Sequence, residues 1–304
     1  MPRQIPVLTV LGLATVTLTS AAGSDTPSAS SAAPSPSYPC AYELTSADQI
    51  RAMIDRVISY LEDASLIRII DRAAGHPVTD LAQLGALTGD VGYFDDAVRQ
   101  SIRFSARMFV LANVLHHHGW IENMGPHPSL NRARANGWAV AAMAALLAVL
   151  PVDRSGRAAA LAQLRVHGAG LAAAQSGSGL SHQLLDRPDP YLAASASAMF
   201  VYAFARGINR GWLDAKAYMP IVSVYWSAVA AKVNTAGQVD GTCVGTGTGF
   251  GPMFYYRRPT DSLAAYGYGP ALLAGSEMIH LRHGAGADAV IHGGGLHFAR
   301  AFEN

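Results

Sequence analysis

The sequence predicts an all-α fold in which an inner layer of helices is ringed by an outer one, an α/α toroid. Three observations carry this. Half of the 304 residues are apolar and only 14% are charged, a composition that suits a large core and argues against disorder. Segments of helical period that are apolar on every side alternate with segments that keep one wet face, and a helix apolar all round must be surrounded by others. No sustained period-two pattern accompanies them, which excludes a doubly wound sheet, and no fixed-period repeat of the solenoid kind is present.

The elements follow in order. Residues 1–22 read as a signal peptide: Arg3 gives a positive start, 5–18 is an apolar run, and Ser20, Ala21 and Ala22 are the small residues a signal peptidase reads. The run is short for a membrane anchor, so the expectation is an extracellular protein with no membrane association after cleavage. Residues 23–39, rich in Ser, Pro and Ala, form a linker, and a single domain is expected over 40–283. Ser46 and Gln49 make a capping box before Ile50, Met53, Ile54, Val57, Ile58 and Leu61, which predicts a helix over 46–61. A second helix is expected over 93–110, with Phe94, Val98, Ile102 and Phe109 on one stripe. Residues 138–150 and 191–208 are the two segments apolar all round. Between them, 155–175 carries Arg157, Gln163, Arg165 and His167 and is expected to meet water. Helices over 215–232 and 262–282 complete the set, with a Gly/Thr/Val-rich hairpin or loop at 239–250 and a Gly-rich tail over 284–304.

The net charge of +1 gives no reason to expect nucleic acid as a partner; short acidic ligands fit better than long polyanions. There is no Gly-x-Ser-x-Gly elbow, and the run from Gly245 to Gly251 lacks the lysine of a phosphate loop. His116, His117 and His118 are adjacent and diverge, so no zinc spacing exists and no metal is expected. The two cysteines, Cys40 and Cys243, either pair as a disulfide or remain free thiols.

What remains is a group of imidazole, guanidinium, indole and amide residues at helix ends. His118, Trp120 and Glu122 precede a Gly/Pro turn, and Arg134, Asn136 and Trp138 open the first buried helix. An arginine at the mouth of a buried helix offers a bidentate clamp for a carboxylate, and indole faces suit sugar rings. The competing reading is local: Arg134 caps its helix and Trp138 fills the core.

Several longer stretches carry a resemblance. They are LAQLGALTGD at 81–90, HGWIE at 118–122, RANGW at 134–138, HQLLDRPD at 182–189, SASAMFVYA at 195–203, GINRGWLD at 207–214, GTCVGT at 241–246 and GYGPALLA at 267–274. In this order they resemble glycoside hydrolase family 105, the unsaturated rhamnogalacturonyl and glucuronyl hydrolases, related to family 88. The resemblance implies an (α/α)6 toroid with no cofactor. The implied substrate is an unsaturated uronyl oligosaccharide, cleaved after an Asp protonates the vinyl ether and water adds to it. It places His118 at the reacting ring, Arg134 and Trp138 on the uronate, and Asn136 in the pocket lining. His182 and Gln183 fall at the pocket edge, Gly245 and Thr246 in the closing loop.

The departures are as specific. The family's general-acid segment, of Leu-Trp-Val-Asp-Asp-Leu-Phe-Met type, has no counterpart between Asp80 and Leu81, and the upstream Asp-Asn-x-Met segment is absent too. The helices read here are fewer than the twelve of six hairpins, so the toroid is expected to be incomplete and its exposed apolar edge to favour a homodimer. Arg132 stands in place of a Trp, Ser181 of another, Ala193 of a Glu and Tyr266 of a His. Of the carboxylates present, Asp80 and Glu122 lie nearest the pattern, and His118 and Glu122 are the weak catalytic candidates. The alternative to an active hydrolase is a non-catalytic protein that binds acidic sugars.

Overall fold

The computed structural model describes residues 69–70, 75–121, 125 and 127–284, all in one unit that begins at residue 68. The expected signal peptide, linker and 46–61 helix, together with Cys40, Glu122 and the tail beyond residue 284, lie outside the described residues.

The chain forms α1 (Gly75–Thr88), α2 (Val91–Met108), α3 (Ala133–Val149), α4 (Arg157–Ala173), α5 (Ala194–Asn209), α6 (Ala215–Ala230), α7 (Pro252–Tyr256) and α8 (Tyr268–Gly284). Two-residue strands accompany them: β1 (Ile69–Ile70) pairs antiparallel with β4 (Trp120–Ile121), and β2 (Phe109–Val110) with β3 (Leu115–His116).

The helices pack in two layers. In the inner row α1 touches α3, α3 touches α5, and α5 touches α8; α2, α4 and α6 lie behind α1, α3 and α5. Residue size decides who sits where. α5 is built of Ala, Ser, Met, Phe, Val and Tyr, and its residues from Ala194 to Ala205 are all buried. α3 is similar, and small residues set its distance from α5: a Cβ on Gly137 would lie 2.5 Å from Met199 Sδ. The outer helices keep wet faces. α6 buries only Val222, Tyr225 and Val229, and Asp90 and Asp214 cap α2 and α6 by accepting the N–H groups of Gly92 and Lys216 at 2.9 and 3.0 Å.

Three local expectations are corrected. The buried stripe of α2 is Tyr93, Phe94, Ala97 and Met108, while Ile102 is exposed. Val98 and Ile102 instead line an apolar groove of about 410 Å³ between α2, α3 and α4. His167, on the helix expected to meet water, points inward and is buried. Residues 239–250 make no continuous hairpin: Val239 bridges back to Val233 and Cys243 to Thr260.

Candidate functional site

The mouths of α3 and α5 are joined by a ladder of backbone hydrogen bonds. Ala133 N–H donates to Gln183 O at 2.9 Å, Leu185 N–H to Asn131 O at 2.9 Å, Gln183 N–H to Tyr191 O at 2.8 Å and Ala194 N–H to Gly241 O at 3.3 Å. Segments 131–133, 183–185, 191–194 and the start of the 241–246 loop therefore lie side by side. The positive ends of two helix dipoles meet there.

Two arginines occupy this junction. Arg132 is the N-cap residue of α3, yet its side chain makes no capping bond. Its guanidinium reaches His118 Nε2 at 3.3 Å and Cys243 Sγ at 3.8 Å. Arg134, in the first turn, donates to the carbonyls of Cys243 and Val244, the latter at 2.7 Å, and its guanidinium lies 4.5 Å from the centre of the Tyr266 ring. Both are fully enclosed. Arg258 donates to the Gly245 carbonyl from the other side of the same loop. His118 is anchored by its backbone to Leu130 O at 2.8 Å, and its Nδ1 lies 2.6 Å from Tyr255 Oη.

The Cys243 sulfur sits at the centre. Gln183 Nε2 donates to it at 3.4 Å and Thr246 Oγ1 lies 3.3 Å away. Burial pushes this thiol up, but Arg132 foremost, then bonds from Thr246 and Tyr191, and Arg134, outweigh it and hold the group below the usual thiol range. Burial pushes the Tyr191 phenol well up, so it stays protonated. Of the two states left open by the sequence, Cys243 is a free, buried thiol.

The sequence candidates thus separate into two groups. His118, Arg134, Gln183, Gly245 and Thr246 come together. Asn136 does not join them: it follows Arg134 by two residues, about 200° around the helix, and its amide is spent elsewhere. Asn136 Oδ1 accepts His116 N–H at 2.8 Å and His167 Nε2–H at 3.0 Å, while Nδ2 donates to the carbonyls of His116 at 2.9 Å and Arg132 at 3.0 Å. Trp120 lies against Arg107, 4.7 Å from the guanidinium, and His127. His182 turns its Nδ1 to the Pro190 carbonyl. Trp138 is half-buried, one turn beyond Arg134 on the same face of α3. Ser181 bonds Tyr225 Oη at 2.6 Å, and Ala193 is the buried N-cap of α5.

Sequence reasoning missed Tyr255 and Cys243 as members of the cluster and read Arg132 only as a departure. Tyr255 lies in a five-residue helix begun by Pro252, too short to show a period. Among the described residues no group of three or more His, Cys, Asp or Glu is placed to hold a metal ion, and no helix is long and apolar enough to cross a membrane.

Residues 77–282 match the family model of Glycosyl Hydrolase Family 88. The 24.9 kDa protein in picA locus of Rhizobium radiobacter is 31% identical over 233 residues, covering 66% of this chain and 96% of that protein. Unsaturated rhamnogalacturonyl hydrolase YesR of Bacillus subtilis is 30% identical over 196 residues, 63% of this chain and 54% of that one. A crystal structure of a possible member of the GH105 family from Salmonella enterica serovar Paratyphi A superposes with a TM-score of 0.66 at 27% identity, over 71% of this chain and 57% of that one. The chain therefore spans just over half the length of the Bacillus and Salmonella relatives and nearly all of the Rhizobium one. Its two layers of helices are those of the family's (α/α)6 toroid, and the chain belongs to Glycosyl Hydrolase Family 88.

Proposed function

We propose that the chain is an extracellular hydrolase of unsaturated uronyl oligosaccharides, binding the terminal acidic sugar at the mouths of α3 and α5. The observation that carries this is the convergence of Arg132 and Arg134 with His118, Gln183 and Thr246 at two helix N-termini, where an anionic ring is favoured by both fixed charge and dipole. The names of relatives that act on unsaturated rhamnogalacturonyl and 3S-rhamnoglycuronyl substrates support the substrate class. In the reaction proposed, a proton adds to C4 of the vinyl ether and water adds its oxygen to C5 and gives up a proton. The hemiketal so formed then opens and releases the remaining sugar as its alcohol.

A second reading, a non-catalytic binder of acidic sugars, is favoured by the absence from the sequence of the family-type Asp segment between Asp80 and Leu81. One experiment separates the two. A lyase-generated unsaturated disaccharide is incubated with the protein, and the vinyl-ether absorbance is followed alongside calorimetric binding. Decay that falls by about 10- to 100-fold in Arg134→Ala, the worth of a charged hydrogen bond, supports the hydrolase. Binding without decay supports the second reading, and neither signal defeats both.

A further inference from the structure

The contacts of His118 determine where its proton sits. A guanidinium has donors only and keeps its charge throughout the working pH range, so the 3.3 Å contact from Arg132 Nη1 makes His118 Nε2 an acceptor with a bare lone pair. A doubly protonated ring would instead set two cations against each other in an enclosed site. The proton of the neutral ring is therefore on Nδ1 and is donated to Tyr255 Oη, 2.6 Å away.

The remaining bonds of Tyr255 agree. Its oxygen also accepts Gly249 N–H at 3.0 Å, and its own hydrogen goes to the Gly249 carbonyl at 3.3 Å. One hydrogen and two lone pairs are thus matched by one acceptor and two donors. Arg132 is held in turn, with its second nitrogen on the Cys243 sulfur at 3.8 Å. The relay runs from the 243–246 loop through Arg132 and His118 to α7, and each of its members is buried.

We propose that Arg132 is a positioning residue that fixes His118 as the Nδ1–H imidazole and so removes the ring from proton transfer. His118 is then a strut between the mouth of α3 and α7, and the proton for an unsaturated sugar comes from another group. This deepens the sugar reading above and rests on it only for the identity of the ligand.

The test is the long-range proton–nitrogen NMR spectrum of the histidine side chains in the full chain at neutral pH, with the His118 signals identified by their loss in His118→Gln. The expected spectrum has a protonated, pyrrole-type Nδ1 and a bare, pyridine-type Nε2. In Arg132→Met the freed Nε2 takes up the proton that neutral imidazole ordinarily prefers to hold there, and the two signal types exchange places. In Tyr255→Phe, where Arg132 remains, they do not. A wild-type His118 protonated at Nε2, or at both nitrogens, overturns the proposal, as does an Arg132→Met spectrum like that of wild type. If Arg132→Met does not fold, the wild-type spectrum decides alone. The expected tautomer in a protein that neither binds nor cleaves the disaccharide would defeat the sugar reading and leave the relay standing; activity with the opposite tautomer would do the reverse.

Discussion

Asn136 grips the backbone of His116 from both sides, accepting its N–H at 2.8 Å and donating to its carbonyl at 2.9 Å. The same carbonyl accepts Asn131 Nδ2 at 3.0 Å. The strand that leads into His118 is thereby fastened to the first turn of α3, and the site inherits its position from a buried amide. Asn136→Ala leaves a backbone donor and His167 without their acceptor. The expected loss is on the order of 3 kcal/mol, from desolvated groups left unpaired. A denaturant melt with an unshifted midpoint contradicts it.

His116 and His167 stack edge to face with ring centres 4.5 Å apart, and burial, foremost, lowers both below the ordinary imidazole value. For His116 the neighbouring His167 adds to this; His167 is lowered to about 3. The unfolded chain therefore binds protons that the folded chain refuses between the ordinary value near 6.5 and the lowered ones. Stability is complete above about pH 6.5 and falls on acidification, by about 1.4 kcal/mol per pH unit for each histidine that stays neutral. Thermal melts from pH 7.5 to 4.5 should show the fall, and His167→Phe should shallow it. A flat profile in the wild type would sink this account.

Gly137→Ala places a methyl 2.5 Å from Met199 Sδ and 3.0 Å from its Cβ. The sulfur can swing away, but the Cβ is fixed to α5. Overpacking at the α3–α5 crossing costs about 1–3 kcal/mol, which exceeds the gain of about 1 kcal/mol from replacing a helical glycine. The net effect expected is a lower melting temperature, where propensity alone predicts a higher one.

Cys243 combines a lowered thiol with complete enclosure, and enclosure decides its reactivity. In a Cys40→Ser background, a thiol reagent should leave the native protein unlabelled and label one thiol on unfolding. Prompt labelling of the native chain would show that the 243–246 loop opens readily.

The layered plan was legible because it depends on composition along each helix. The segments apolar all round became α3 and α5, and the half-wet ones became α4 and α6. Boundaries moved by a few residues, since α3 begins at Ala133 on polar side chains that the hydrophobic pattern did not include. The β2–β3 hairpin and α7 carried no signal, being too short for any period. In the site, Arg134, Gln183 and Thr246 were found by their family-like motifs. Tyr255 was not, because what brings it to His118 is the path of the chain between Gly249 and Tyr255. The His167 error has the same root: a polar residue on an outer helix reads as wet until Asn136 is known to face it.

The parts of the His118 relay are far apart along the chain: His118 and Arg132 before α3, Cys243 after α6, Tyr255 in α7. The ribosome delivers them in that order. A nascent chain holding α1 to α6 already possesses most of its packed helices, but the imidazole has no phenol to face until residue 255 emerges. Completion of this pocket is thus a late event in biosynthesis, and a transcript cut short just before α7 would yield a helical protein with an unfinished centre.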